Sequence, residues 1–259
     1  MQKEELLRQS LDVYKNLSTY REIAFRSGRN LKLKNFDINI EFKIQTWFAR
    51  PCYLRIECEL VSTVGGGERH SELLCSFTSN ESSALEIVND VRMPIDNPLS
   101  EKIFIPFNSS PLSVQRSIYS SAEEGLRTSP MIRMFAPLAG LLINPGNHFL
   151  STQRGVVQFP DQQILHAKCH QLVVYHGKPL TNDKIWIDQM SHLVLRVVTP
   201  FSPLEVFPFN LVEDLLGSRG IGLLDADSKR LFPLSEDYTV HYYEIDPELN
   251  ISMFRDTQP

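Results

Sequence analysis

The first residues of the chain have apolar side chains at helical spacing. Charged and polar residues separate these positions, so the apolar side chains fall on one face of a helix. We therefore predict an amphipathic helix over residues 3–17, with its apolar face on a hydrophobic surface. Its apolar positions are Leu6, Leu7, Leu11, Tyr14 and Leu17.

After this helix the apolar positions alternate, which is typical of a strand with one buried face. In residues 37–48 the even positions are apolar with one exception. Arg50-Pro51 interrupts the alternation, because proline has no N–H for a strand ladder. The alternation resumes over residues 52–62, and a third run follows the turn at Gly65-Gly66-Gly67. These runs predict an antiparallel meander of three strands.

The loop lengths predict the register of this meander. If residues 49–51 form the first hairpin loop, Phe42 lies opposite Cys58 and Ile44 lies opposite Ile56. A slip by one residue would turn the charged positions of a strand toward the core. The predicted register therefore places the apolar side chains of both strands on one face.

The glycine turn sets the register of the next strand pair in the same way. Cys58 and Cys75 then lie opposite each other, and they form either a disulfide or two buried thiols. The predicted facing pairs are Leu60–Leu73, Cys58–Cys75 and Ile56–Phe77.

Further strands follow from shorter alternating runs. Near Lys34-Asn35 the apolar residues change from odd to even positions, which indicates a bulge or bend. Residues 201–236 have no regular pattern. The further strands are predicted at 19–26, 31–36, 84–91, 101–107, 154–160, 163–176, 183–190, 192–199 and 238–245.

The middle of the chain changes to a helical pattern. Pro111–Arg127 predicts a first helix, and Ser129-Pro130 predicts the start of a second, with Ser129 as N-cap. Residues 131–142 are apolar nearly all round, and Pro137 should kink them. A helix with this composition needs apolar cover on more than one side.

Composition and charge narrow the function classes. The hydrophobic content of 42% excludes a long disordered tail, and the net charge of −5 argues against a nucleic-acid partner. No apolar run has the length needed to span a bilayer. The start of the chain has no apolar export signal, as expected for a cytosolic protein or for the mature form of an exported one.

Motifs for catalysis, nucleotides or metals are absent from the sequence. No G-x-S-x-G, Walker loop or H-E-x-x-H occurs. His166 and His170 would lie about 13 Å apart on one strand, too far to chelate one ion. Asp225-Ala226-Asp227 begins like a calcium loop, but Lys229 stands where a ligand belongs. We predict no catalytic residue, no metal and no cofactor.

The order of elements resembles the outer-membrane lipoprotein carrier (LolA-like) superfamily. The most specific piece is Lys184-Ile185-Trp186-Ile187-Asp188, which turns into Leu193-Val194-Leu195-Arg196-Val197. The resemblance implies one domain over residues 1–259, with a helical lid at 111–143 and an irregular insertion at 201–236. The implied fold is mainly β with α: a curved antiparallel sheet forms an incomplete barrel, covered by the N-terminal helix and the lid.

The resemblance also implies a function without enzymatic activity. We expect the chain to bind or carry an apolar ligand, a lipid or a lipoprotein acyl chain, in the periplasm or cell envelope of a bacterium. A membrane-associated protein is a second candidate partner. The predicted floor of the binding site comprises Ile38, Ile40, Phe42, Ile44, Leu54, Ile56 and Leu60, and the predicted lid comprises Met131, Met134, Phe135 and Leu138.

Two other functions stay open at this point. The chain could be a non-enzymatic protein-interaction or sensor module whose own helices fill the cavity. A hydrolase would require acidic and histidine side chains to converge in space. A cytoplasmic location also stays open.

Overall fold

The fold is described from a computed structural model. For residues 27–33, 36–40, 62, 64, 92–96, 102–106, 115 and 236 the description covers the backbone. The described residues are 3–33, 36–64, 69–89, 92–96, 102–106, 115–129, 132, 135–148, 150–151, 155–175, 182–199 and 236–255.

The described α-helices lie at the start and in the middle of the chain. Helix α1 confirms the predicted N-terminal helix, and it buries Leu6, Leu7 and Tyr14 against the sheet. No described helix has the length and apolar character needed to cross a membrane. The α-helices are α1 (Lys3–Asn16), α2 (Ala122–Thr128) and α3 (Ala139–Ile143), and short 3-10 helices span Pro145–Asn147 and Ile251–Phe254.

The strands account for most of the described chain. They are β1 (Thr19–Leu33), β2 (Phe36–Ala49), β3 (Tyr53–Val64), β4 (Arg69–Ser79), β5 (Ala84–Val88), β6 (Arg92–Asp96), β7 (Lys102–Pro106), β8 (Gln115–Tyr119), β9 (Gly155–Ile164), β10 (Ala167–Tyr175), β11 (Asn182–Asp188), β12 (Val194–Thr199) and β13 (Glu236–Ile245).

Eleven strands form one antiparallel sheet in the order β8-β5-β4-β3-β2-β1-β13-β12-β11-β10-β9, and β6 and β7 form a separate hairpin. Strand β13 pairs with β1 on one side and β12 on the other, so it joins the two halves of the chain. Register shifts interrupt several strand pairs, and such bulges bend a sheet. The two edge strands, β8 and β9, do not pair with each other. This open sheet confirms the predicted incomplete barrel.

The first hairpin of the meander differs from the predicted register by two residues. Phe42 faces Leu60 and Ile44 faces Cys58, where we predicted Phe42–Cys58 and Ile44–Ile56. The loop comprises residues 50–52, one position later than predicted. A two-residue shift keeps every side chain on its predicted face, so the common apolar face is confirmed.

Arg50 gives a physical reason for the position of this loop. Its guanidinium donates hydrogen bonds to the carbonyl oxygens of Leu17 (3.1 Å) and Tyr14 (2.7 Å) at the end of α1. Helix-terminal carbonyls lack partners within the helix and attract cations. These bonds hold Arg50 in the loop, where the predicted loop over residues 49–51 also places it.

The second hairpin is confirmed over half of its length. Cys58 faces Cys75 and Ile56 faces Phe77, as predicted, and both cysteines are free. The predicted Leu60–Leu73 pair is wrong, because a bulge after Cys58 shifts the register. Leu73 is 40% exposed as a result, and its neighbour Leu74 is buried.

The predicted strand over residues 31–36 is correct for residues 31–33, but Phe36 belongs to the next strand. Leu31–Leu33 ends β1, and these residues pair with residues 36–38 of β2. The shift in apolar phase therefore marks a hairpin, whose residues 34–35 lie outside the described chain.

Of the predicted helix over 111–127, residues 122–127 are helical, residues 115–119 are not, and residues 111–114 lie outside the described chain. Gln115–Tyr119 forms β8, which pairs with β5 at the sheet edge. The helix begins at Ala122 because Ser121 Oγ accepts the Glu124 N–H (3.1 Å), while the Glu124 carboxylate accepts the Ser120 N–H (2.9 Å). This reciprocal capping defines the start of α2.

The described residues from 132 to 148 (132 and 135–148), which we call the cover segment, lie over the inner face of the sheet. Ser129 caps the start of this segment, as predicted, because its Oγ accepts the N–H of Ile132 (3.0 Å). A helical turn ends at Ala136, Pro137 interrupts the helix as predicted, and α3 follows. Phe135, Leu138, Leu141 and Leu142 of this segment are fully buried.

The C-terminal strands agree with prediction apart from their limits. The motif behind the superfamily resemblance lies on β11 and β12, where Trp186 pairs with Arg196 and the guanidinium stacks on the indole at 4.6 Å. His166 lies in the turn before β10, so the assumption that it shares a strand with His170 is wrong. Of the predicted insertion over 201–236, residues 201–235 with Asp225-Ala226-Asp227 lie outside the described residues, and Glu236 begins β13.

Candidate functional site

A cavity of about 540 Å³ lies between the cover segment, α2 and the inner face of the sheet. This volume is within the range of small-ligand sites, roughly 300–1,000 Å³. The described residues around it come from α2, the cover segment and strands β1, β11, β12 and β13. They are Arg26, Glu123, Leu126, Arg127, Ile132, Ala136, Pro137, Gly140, Ile143, Asn144, Asn147, His148, Asp183, Val197, Thr199 and Tyr238.

The helical wall of the cavity is apolar in its centre. Leu126 of α2 and Ile132, Ala136 and Ile143 of the cover segment face the cavity. This wall follows directly from the nearly uninterrupted apolar sequence of the cover segment, which leaves apolar side chains on every side of the helix. The wall suits an alkyl chain.

The sheet side of the cavity, which we call the cavity floor, carries polar groups. It consists of Arg26 on β1, Tyr238 on β13, Val197 and Thr199 on β12, and Asp183 on β11. Arg26 pairs with Tyr238, which in turn pairs with Val197, so these three form one row across the strands. The cavity therefore joins an apolar wall to a floor with a cation, a carboxylate and a phenol.

Arg26 is only 5% exposed. Burial lowers the pKa of its guanidinium to about 10, which still leaves Arg26 charged at neutral pH. The ring of Phe135 lies 5.8 Å from the guanidinium carbon and 4.6 Å, between centroids, from the ring of Phe42. Phe135 thus separates the cavity from the predicted floor on β2 and β3.

A buried carboxylate lies four residues before Arg26, on the same face of β1. Glu22 is 2% exposed and accepts hydrogen bonds from the hydroxyls of Tyr20 (2.9 Å) and Tyr238 (2.6 Å). Burial raises the pKa of Glu22, although both phenols favour its charged form. The hydrogen bond to Glu22 also fixes the ring of Tyr238, which lines the cavity floor.

A second buried carboxylate anchors the beginning of the cover segment. Glu86 on β5 accepts hydrogen bonds from the hydroxyls of Ser129 and Tyr119, the latter at 2.7 Å. Because Ser129 also caps the following helical turn, one serine links the sheet edge to the cover segment.

His148 braces the break in the cover segment. Its Nδ1 accepts the Leu150 N–H (3.3 Å), so its Nε2 donates to the Pro137 carbonyl (2.9 Å). A Cβ at Gly140 would lie 2.9 Å from the imidazole, and glycine is therefore needed for this close approach. On the rim, Glu123 of α2 accepts the side-chain amide of Asn144 (3.1 Å).

Seven of the eleven residues predicted to bind the ligand have described side chains, and these seven lie in the core beside the cavity. Ile44, Leu54, Ile56, Leu60, Phe135 and Leu138 are 0–3% exposed in the core, and Phe42 is half-buried against them. None of these seven side chains is among the described residues around the cavity. Ile38 and Ile40 lie on β2, where the backbone alone is described, and Met131 and Met134 lie outside the described residues. The binding role of all eleven stays a prediction.

Sequence reasoning missed Arg26, Asp183, Tyr238 and His148 as cavity residues. A signal for Arg26 was present in β1, where Tyr20, Glu22, Ala24 and Arg26 occupy alternate positions and thus share a face. Two charged residues on a face that also carries buried apolar ones indicate a polar feature inside the fold. His148 offered no such signal, because only the tertiary contact with Pro137 gives it a role.

One acidic and one histidine side chain do converge on the surface. His170 Nδ1 lies 2.8 Å from Asp161 Oδ1, and this hydrogen bond lowers the pKa of Asp161. Among the described side chains, His170 hydrogen-bonds to Asp161 and Gln189 and to no hydroxyl or thiol. The described residues also contain no group of three or more His, Cys, Asp or Glu side chains placed to hold a metal ion.

No family model and no curated protein matches the sequence. Solved structures do match in overall layout. The lipoprotein LppX of Mycobacterium tuberculosis is 14% identical, with a TM-score of 0.41 over 96% of this chain and 100% of that one. LprF of Mycobacterium bovis is 6% identical, with a TM-score of 0.41 over 95% and 94% of the two chains. A LolA superfamily protein of Nitrosomonas europaea is 7% identical, with a TM-score of 0.30 over 99% and 98%.

Proposed function

We propose that this chain binds a lipid or acyl chain in the cavity beneath the cover segment and carries it, without chemical conversion, in the bacterial cell envelope. The observation that supports this proposal most directly is the apolar wall formed by Leu126, Ile132, Ala136 and Ile143. Burial of alkyl surface against such a wall contributes about 25 cal/mol per Å².

The cavity floor adds polar recognition to this apolar binding. An alkyl chain alone offers no opposite charge to Arg26, which lines the cavity and stays cationic at neutral pH. A ligand with a polar end at the floor and its chain along the wall avoids this mismatch. The proposed ligand is therefore an amphiphile.

A ligand with a longer alkyl chain would reach from the cavity to the predicted floor on β2 and β3. Phe135 fills the space above Phe42 and beside Arg26. Displacement of this ring would connect the cavity with Ile44, Ile56 and the rest of the predicted floor.

Native mass spectrometry of the purified full chain tests the proposal. The expected result is an additional mass that organic solvent extracts and that a lipid analysis identifies as an amphiphile. Absence of any bound lipid, together with failure to bind a fluorescent fatty acid, contradicts the proposal.

The second candidate function is a protein-interaction or sensor module. It is supported by the packing of the predicted floor, where Ile44, Leu54 and Ile56 are fully buried by the chain's own side chains. This function predicts a chain without lipid that co-purifies with a membrane-associated protein. Fractionation of the native cells tests the proposed envelope location separately from either function.

A further inference from the structure

Two cysteines lie side by side on the inner face of the sheet. Cys58 on β3 and Cys75 on β4 are directly opposite each other, and both are 0% exposed. Both are free thiols in the structure. Neither contributes to the cavity, and neither has a role in the proposed function.

The strand pairing brings the Cβ atoms of these cysteines near the separation that a disulfide needs. Residues directly opposite in an antiparallel pair have Cβ atoms roughly 4.5–5.5 Å apart, close to the separation in disulfides. The neighbouring pair Ile56–Phe77 fixes the register on one side. On the other side a bulge begins after Cys58, and the irregular ladder there permits a small local adjustment.

The other two cysteines are placed away from this pair. Cys52 lies in the loop before β3, with its thiol 3.4 Å from the Asn80 carbonyl. Cys169 lies on β10, near the far edge of the sheet. The strand pairing therefore places Cys58 opposite Cys75 and opposite neither of the other two cysteines.

We propose that Cys58 and Cys75 form a disulfide when the chain folds in an oxidising compartment. The oxidant is a small disulfide such as glutathione disulfide. The thiolate of one cysteine attacks it, forms a mixed disulfide and releases one glutathione thiolate. The second cysteine then attacks the protein sulfur of the mixed disulfide and displaces the second glutathione. The cysteines lose two electrons and two protons, and one glutathione disulfide becomes two thiols.

We expect the disulfide to form during folding, before the cover segment packs over the sheet. Burial, and to a smaller extent the neighbouring Cys75 thiol, raise the pKa of Cys58 well above its ordinary range. A buried and protonated thiol is a poor nucleophile, because the thiolate is the reactive form. The folded, reduced chain should therefore resist oxidation, while the refolding chain should accept it.

Thiol counting on the full chain tests the disulfide. The chain is refolded with a glutathione redox buffer or with dithiothreitol, then alkylated in denaturant and weighed by mass spectrometry. We expect four alkylated cysteines after reducing refolding, two after oxidative refolding, and a crosslinked peptide that joins residues 58 and 75. Oxidative refolding should also raise the melting temperature by roughly 5–10 °C.

Three variants make this result specific. Cys52→Ser is the control, and oxidative refolding should reduce its three thiols to one. Cys58→Ser should keep all three thiols free, and Cys75→Ser provides the same test should that variant fail to fold. Four free thiols in the oxidatively refolded wild type, or a crosslink that involves Cys52 or Cys169, would overturn the proposal. Lipid binding is measured in a separate experiment, so failure of the disulfide proposal and failure of the proposed function are distinguishable.

Discussion

The inner face of the sheet has two halves with opposite relations to the cover segment. Over β2–β4 it is apolar, and side chains such as Ile56 and Phe77 are packed without exposed surface. Over β1 and β11–β13 it carries Arg26, Asp183 and Tyr238, and there the cavity remains. Phe135 lies at the boundary, in contact with both halves.

This difference indicates which part of a sheet keeps a cavity when helices cover it. Apolar side chains on sheet and helix gain free energy by closing the space between them, so the apolar half is filled. Buried polar side chains cannot be covered by apolar ones without loss of hydrogen bonds, so the cover segment does not close over the polar half. The strongest apolar pattern in the sequence thus identifies the core, and the cavity lies beside it.

Removal of the boundary residue has the largest expected effect. Phe135→Ala should lower the free energy of unfolding by about 3–5 kcal/mol, the usual cost of a buried Phe→Ala change. It should also connect the cavity with the predicted floor and so increase the chain length of the ligand that binds most tightly. Chemical denaturation and a fatty-acid chain-length series measure the two effects.

Phe48→Ala is the matched control for this variant. Phe48 is equally buried on β2, but its ring stacks with Arg50, whereas the Phe135 ring lies between Phe42 and the cavity residue Arg26. It should lose similar stability and keep the wild-type preference for chain length. If both variants show the same preference, Phe135 does not separate the two halves.

Loss of the anchor at Ser129 should have a smaller effect. Ser129→Ala removes the N-cap of the cover segment and one of the hydrogen bonds to buried Glu86, at a cost of about 1–3 kcal/mol. Hydrogen exchange should speed up in residues 135–143. Ser121→Ala removes an exposed N-cap from α2 and serves as control, with exchange in the cover segment unchanged.

Overpacking of the filled half tests its density. A Cβ at Gly125 would lie 2.6 Å from Cε2 of the buried Phe77 ring. Gly125→Ala should therefore cost about 1–2 kcal/mol in spite of the better helix propensity of alanine. Gly146→Ala is the control, because a Cβ there has room. Equal unfolding free energies for Gly125→Ala and wild type would show that this half is looser than described.

The smallest expected effect is a change of pH dependence at Glu22. Burial raises its pKa above the ordinary 4.5, so its contribution to stability is fully present below that pH. The contribution is lost as the pH rises through the raised pKa, because the unfolded chain ionises more readily. Glu22→Gln should flatten this decline in unfolding free energy, as denaturation at several pH values will show. An unchanged pH profile would contradict burial of an ionisable carboxyl at this position.

Much of the fold was predictable, because alternation and helical spacing are local. The meander, α1 and the break at Pro137 follow from neighbouring residues alone. The bulge after Cys58 and the strand at Gln115–Tyr119 were not predicted, because a bulge and an edge pairing depend on the partner strand.

The cavity was predictable only in part. The apolar cover segment was expected, and it forms one wall. Arg26 and Tyr238 meet on the cavity floor only because β13 inserts between β1 and β12, a pairing that links residues more than 200 positions apart. No local pattern specifies that neighbourhood.

Titration with a fluorescent fatty acid tests the central claim, that the ligand occupies the polar half, most directly. Val197 lines the cavity, and its neighbour Val198 faces the other side of β12. We predict saturable binding to the wild type and to Val198→Phe, and at least about tenfold weaker binding to Val197→Phe, whose ring fills the cavity. Equal binding by both variants, or no binding by the wild type, would contradict the account.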